Sequence, residues 1–269
     1  MRAAGIVVYQ PDINRLERVI DRIYEQVDIL VIYCNSNFTW EKNDKIVLLG
    51  NTGENVGIAK ALNCILDYAK NEGAKWCLLL DQDSVVPKSI IDNYSQYTYI
   101  ENAAILTLKI GDELGSVSCC NNTIDKVLLC ITSGSYINIE IWEKVGKFRN
   151  DFFIDYVDWE YCARISNHDY YVYRLNEMVL DHRLGNETKH KVGKIELCTY
   201  NHNASRKYYI TRNSFIISKL YPYIKEFKHP FLRTIKRMLK VILVEDDKIA
   251  KLTSMVRGIL DSRKFEMKE

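Results

Sequence analysis

Proline and glycine are scarce, four and twelve in 269 residues. That scarcity argues against long disordered linkers. The eight cysteines include no Cys-x-x-Cys pair, which speaks against a zinc knuckle or a thioredoxin-type site. Cys64 and Cys77 fall inside apolar patterns and read as small core residues. This usage fits a reducing cytosol. No apolar run approaches the ~20 residues needed to cross a bilayer. The opening stretch, MRAAGIVVYQPD, lacks the apolar length of a signal peptide. Neither charge dominates. A formal net charge of +2 excludes a strong whole-chain preference for nucleic acid, and no basic segment interleaved with aromatics offers a surface for it. Apolar residues, by contrast, make up 47% of the chain and include 18 tyrosines. A substantial core is therefore affordable. The tyrosines suit a sugar site, although partly buried structural tyrosines are the commoner case.

The first hundred residues alternate between two periods. Residues 4–9, 29–34, 46–49 and 76–80 are short, nearly continuous apolar runs, as expected of strands buried on both faces. Between the first two, Leu16, Val19, Ile20, Ile23 and Val27 recur at helical spacing. Ile58, Leu62, Ile65, Leu66 and Ala69 do the same before the fourth run. This βαβ order predicts a mostly parallel central sheet flanked by helices. Further on, residues 103–108, 130–139 and 170–175 read as strands and 157–166 as a helix, with an irregular stretch at 111–126. In parallel sheets of this kind ligands bind at the carboxyl ends of the strands.

The fourth run ends in Asp81-Gln82-Asp83. Two carboxylates this close repel each other and are costly to bury without a partner. Hard oxygen ligands at this spacing suit Mg²⁺ or Mn²⁺ holding a diphosphate. The plainer reading is a helix cap with a turn carboxylate, the next helix starting near Ser84 and Pro87. Residues 152–165, FFIDYVDWEYCARI, place Asp155, Asp158 and Glu160 among aromatics at a helix start. Dipole capping explains one such acid. Three of them point toward a general base with a raised pKa. Ser133, Gly134 and Ser135 form a small-residue segment that lets a backbone approach a ligand. Arg212 and Asn213 follow two tyrosines in YYITRN, suited either to phosphate and sugar hydroxyls or to tying a helix down.

Taken together, these segments resemble glycosyltransferase family two, the inverting nucleotide-sugar enzymes of the GT-A fold, and its bacterial rhamnosyltransferase-like branch most closely. AGIVVYQPD is similar to the branch's first strand and loop. NTGENVGIAKALN is similar to its Asn-x-Gly-x-Ala-x-Ala-x-Asn segment through Asn55, Gly57, Ala59, Ala61 and Asn63. LLLDQDS resembles its metal-binding Asp-x-Asp, and SGS, FIDYVDWEYCARI, HRLG and YYITRN follow in family order. The likeness runs from about residue 3 to 215 and continues weakly into MVRGILDS. It implies a GT-A domain over 1–220 and a helical extension over 221–269. It also implies roles for particular residues. Asp158 would be the catalytic base, and Asp81, Asp83 and His182 would hold the metal. Val8, Tyr9, Asn35, Ser36, Asn55, Gly57, Lys60, Asp81 and Gln82 would lie at the nucleotide. Ser133, Gly134, Ser135, Trp159, Glu160, Arg212 and Asn213 would lie at the sugars. One departure concerns the turn after the second strand, where relatives carry Asp-Asn-x-Ser and this chain has Cys34 in place of the Asp. Nucleobase recognition then rests more on backbone, Asn35 and Ser36.

The implied activity is metal-dependent inverting transfer of L-rhamnose from dTDP-L-rhamnose. The acceptor would be a bacterial surface polysaccharide (O-antigen of lipopolysaccharide, capsule or cell-wall glycan) or its lipid-linked precursor. A UDP-hexose or UDP-galactofuranose donor, or a non-catalytic carbohydrate-binding scaffold, are the alternatives. Between residues 225 and 240 stand six Lys/Arg and one Glu. Phe231, Leu232, Ile235, Met238, Leu239, Ile242 and Leu243 repeat there at helical spacing, with Arg233, Lys236, Arg237 and Lys240 mainly on other faces. This reads as a basic amphipathic helix with exposed cations. It either touches an anionic membrane or packs on the domain. The resemblance favours peripheral contact with the inner face of a bacterial plasma membrane through residues 225–243.

Overall fold

The computed structural model describes residues 1–40, 43–111, 122–181, 188–192 and 195–266. It divides into two compact units. Met1–Asp151 and Val157–Arg183 form one, and Phe152–Tyr156 and Leu184–Glu269 form the other.

The first unit is built on the alternation of periods. Strands β1 (Ala3–Val8) and β2 (Ile29–Cys34) are buried along their whole length, as two-sided apolar runs require. Helix α1 (Ile13–Tyr24) starts where the Asp12 carboxylate accepts from the Arg15 amide. It buries Leu16, Val19, Ile20 and Ile23. Strand β3 (Ile46–Gly50), helix α2 (Ile58–Asn71), strand β4 (Trp76–Asp81) and helix α3 (Ile90–Ser95) complete the nucleotide-type half. Strands β5 (Ala103–Ile110), β6 (Ile124–Val127), β7 (Ser135–Asn138) and β8 (Tyr171–Leu180) extend the sheet, with helices α4 (Ile139–Val145) and α5 (Val157–Ser166) beside them.

The eight-stranded sheet has the order β3-β2-β1-β4-β7-β5-β8-β6. The pairs joining β3, β2, β1 and β4 are parallel. Strand β7 runs antiparallel to both β4 and β5, so β5 points with β4, and β8 follows β5 in parallel. Only β7 and the edge strand β6 oppose the rest.

Three expectations from the pattern change in the structure. The run 130–139 forms a strand only from Ser135, because Gly134 turns the chain with φ +78° and the Ser135 amide bonds back to Thr132. The stretch read as irregular ends inside β6, whose mixed burial gives no clean alternation. The helix after Asp83 begins at Ile90, not near Ser84, because Val85 pairs through both backbone groups with Asp181.

The second unit holds an antiparallel strand pair, β9 (Thr188–Val192) and β10 (Ile195–Thr199), with helices α6 (Ala204–Leu220), α7 (Pro230–Val244) and α8 (Lys248–Arg263). The domain that the resemblance implies extends to residue 220; by compactness α6 groups with α7 and α8. Helix α8 approaches α6 so closely at Gly258 that a Cβ there would stand 2.8 Å from the Tyr208 carbonyl. Charge lies inside this unit. Glu245 accepts from Lys207 (2.6 Å), Thr199 (2.6 Å) and Lys251 (3.2 Å), all buried.

The basic tail is rearranged in two respects. A 3₁₀ turn at Lys225–Phe227 precedes α7, and the left-handed His229 separates them. The cations expected on the surface mostly turn inward. Arg233 donates to the Glu226 and Phe227 carbonyls, Arg237 to the Tyr156 hydroxyl and Lys240 to the Cys198 carbonyl. Of the four, Lys236 is the exposed one.

Candidate functional site

The carboxyl ends of β1, β2 and β4 lie side by side and are joined by hydrogen bonds among residues singled out in the sequence. The Tyr9 amide donates to Gln82 Oε1 (2.8 Å), and Gln82 Nε2 returns to the Tyr9 carbonyl (3.3 Å). The Gln10 amide donates to Ser36 Oγ (3.0 Å), and the Asn35 amide to the Val8 carbonyl. The buried Asn35 side chain binds the segment before α2, accepting from the Val56 amide and donating to the Gly57 carbonyl. Asn55 Oδ1 accepts from the Gly57 amide (2.9 Å), and Lys60 is exposed in the first turn of α2. Cys34 is buried, and that burial pushes its thiol up to about 11, so it stays neutral.

Strand β4 hands over to Asp81, Gln82 and Asp83, all half-buried. The Asp81 amide donates to Ser133 Oγ (3.0 Å), and the Gly134 amide donates to the Leu79 carbonyl. The expected SGS segment is thereby fastened beside the DQD turn. Ser135, Thr132 and Cys130 line a small cavity with Asp158 and Cys162. Asp158 is the second residue of α5, and its Oδ1 accepts from the Trp159 amide (2.8 Å). Cys130 Sγ and Cys162 Sγ lie 3.6 Å apart as free thiols. The bond to Cys130, and then burial, hold the Cys162 thiol well above the ordinary range.

Glu160, two residues after Asp158, is fully buried. Its two oxygens accept from Arg164 Nε (3.0 Å) and Nη2 (2.9 Å), and Arg164 also donates to the carbonyls of Val145, Gly146 and Lys147. This bidentate pair ties α5 to the end of α4.

In the second unit, the loop Phe152–Tyr156 carries three non-glycine residues at positive φ: Phe153, Asp155 and Tyr156. Such residues persist only where their surroundings hold them. The buried Asn213 amide donates to the carbonyls of Phe152 (2.8 Å), Ile154 (2.9 Å) and Asp155 (3.0 Å), while its Oδ1 accepts from Arg212. Arg206 pairs with Asp155 (3.2 Å), and Phe153 stacks on Tyr209. Burial raises the Asp155 carboxyl above its usual range despite Arg206.

No family model matches the chain. A dTDP-rhamnosyl transferase RfbF of Shigella flexneri is 30% identical over 239 residues, covering 80% of this chain and 78% of the relative. The chain belongs to glycosyltransferase family two, in its rhamnosyltransferase-like branch. Solved structures agree on the GT-A fold. S. aureus TarS 1-349 in complex with UDP-GlcNAc superposes with TM-score 0.63 at 9% identity, over 97% of this chain and 80% of that one. GalNAc-T7 with UDP, GalNAc and Mn²⁺ superposes with TM-score 0.60 at 10% identity, over 98% of this chain and 54% of that one.

For the transferase, a metal has to be judged on its donor set. Among the described residues no group of three or more His, Cys, Asp or Glu side chains is arranged to hold an ion. His182, the third expected ligand, lies outside the described residues. A cation of the Mg²⁺ type nevertheless needs only one or two carboxylates when substrate phosphates share it, and Asp81 and Asp83 offer that number. The transferase also has a residue at this turn that the pattern did not reveal. Arg15 of α1, its side chain only 13% exposed, donates from Nε to the Asp83 carbonyl (2.8 Å), and its Nη2 lies 3.7 Å from Asp181 Oδ1. The Val85–Asp181 bridge brings the residue before His182 to within two residues of Asp83. A cation on an otherwise amphipathic helix is an ordinary surface residue in sequence. Only the fold shows where it reaches.

Proposed function

We propose that the transferase moves L-rhamnose from dTDP-L-rhamnose to a bacterial surface polysaccharide or its lipid-linked precursor, with inversion and with Mg²⁺ or Mn²⁺. The observation that carries the reading is the DQD turn joined to Tyr9, Ser133 and Arg15 at the strand ends, where this class of sheet binds nucleotides. The 30% identical relative, named as a dTDP-rhamnosyl transferase, supports the donor.

In this reading the acceptor hydroxyl oxygen bonds to the anomeric carbon as the bond to the diphosphate oxygen breaks. Asp158 takes the hydroxyl proton. Asp81 and Asp83, with His182, hold the metal, which when bound supplies positive charge to the leaving diphosphate. Tyr9, Ser36 and Gln82 are assigned to the nucleotide, with Val8, Asn35, Asn55 and Gly57 shaping the backbone beneath it and Lys60 at its phosphates. Ser133, Gly134, Ser135, Trp159 and Arg212 are assigned to the sugars. Glu160 and Asn213 are assigned to holding α5 and the 152–156 loop, because their polar atoms bind those segments. A lipid-linked acceptor places the enzyme peripherally on the inner face of the plasma membrane.

The test combines calorimetry and turnover. With Mn²⁺ present, dTDP should bind more tightly than UDP, and chelation should abolish transfer. Asp158→Asn should lower turnover by about 10²–10⁴-fold at near-normal dTDP affinity. Full activity in excess chelator, or a UDP preference, overturns the metal or the donor respectively.

A further inference from the structure

Six large apolar side chains of α7 are 37% to 61% exposed: Phe231, Leu232, Ile235, Leu239, Ile242 and Leu243. At 100° per residue they fall within one arc of about 120°. The opposite side of the helix, with Thr234 and Val241 buried, packs inward and is fastened by Arg233, Arg237 and Lys240. The helix is amphipathic, yet its polar side is the one that docks on the protein. A continuous exposed apolar stripe is unusual on a soluble monomer and marks a surface with a partner.

Charge identifies the partner. Helix α7 contains no Asp or Glu. Lys236 is exposed at the border of the arc; before the helix Lys225 and Lys228 are exposed with Glu226 between them, and the exposed acids Asp246 and Asp247 stand beyond its far end. Helix α7 of a second copy would bring further cations and no acid of its own to the contact. An anionic lipid surface complements them and accepts the apolar chains. We infer that the apolar arc of α7 inserts into the headgroup region of an anionic bilayer, with Lys225, Lys228 and Lys236 at the phosphates. Contact is thus made by the apolar face, and Arg233 and Arg237 serve to hold the helix rather than to bind lipid. This gives a surface to the membrane location proposed above, and its test reads binding alone, so the two readings can fail separately.

The test is co-sedimentation of the full chain with phosphatidylglycerol-containing vesicles, against pure phosphatidylcholine. Wild type should pellet with the anionic vesicles. Leu239→Glu with Ile242→Glu should lower partitioning by about tenfold or more at unchanged melting temperature. If that pair fails to fold, Leu239→Ser with Ile242→Ser replaces it with the same expectation. Lys236→Glu should give a smaller loss. Unchanged vesicle binding in the folded double variant overturns the inference. So does a wild type that ignores anionic vesicles, or a solution dimer that the same substitutions make monomeric.

Discussion

Helices α1 and α7 carry comparable apolar stripes and use them in opposite ways. In α1, Leu16, Val19, Ile20 and Ile23 are buried against the sheet while Glu17, Arg18 and Asp21 face water. In α7, Leu239, Ile242 and their neighbours face outward while arginines and a lysine hold the helix to its unit. The second unit repeats this inversion deeper down, with Lys207, Lys251 and Glu245 buried together. Periodicity therefore fixes which residues share a face, but not what covers that face. An apolar sheet is the cover for α1. The inner face of α7 has found hydrogen-bond acceptors instead.

The largest effect that would sharpen this contrast is expected inside the second unit. Glu245→Gln leaves two buried lysines facing a neutral amide, and should cost about 3–5 kcal/mol in urea unfolding at neutral pH. A cost under about 1 kcal/mol would mean that the buried charges are not holding the unit together. Next come paired truncations on the two helices. Leu16→Ala should cost about 2–5 kcal/mol, and Leu239→Ala should stay within about 0.5 kcal/mol. Similar losses at both positions would erase the distinction between the helices.

The smallest effect is a pH dependence. Burial, then Arg206 and Lys207, lowers His202 from 6.5 to about 4. The folded protein keeps this ring neutral where the unfolded chain takes up a proton. Its contribution to stability is therefore complete above pH 6.5 and is lost as pH falls toward about 4. In His202→Gln, unfolding curves over that interval should be flatter than in wild type. An unchanged slope would show that neither burial nor the neighbouring cations hold His202 neutral in the folded unit.

Much of the fold was readable along the chain. The extents of β2 and α5 match their apolar patterns, because buried runs and amphipathic turns are local properties. Strand β6 and the pair β9–β10 were not readable. The side chains of residues 124–127, 188–191 and 196–198 are exposed or only partly covered, so pattern and burial separate. The site divides in the same way. DQD at the end of an apolar strand, and the small residues of SGS, announced themselves by chemistry and position. The roles of Arg15 and Asn213 did not, since each depends on atoms 68 or 58 to 61 residues away.

Local sequence was enough to set the alternation of strands and helices through β4, the family and the places where carboxylates gather, since each rests on neighbouring residues and on residue type. Long-range packing was needed to turn α7 outward, to bury Lys207 with Glu245, and to bring Asp83 beside Arg15 and Asp181. Whether a polar group is buried or exposed depends on finding a partner of the right geometry, and that partner usually comes from a distant part of the chain.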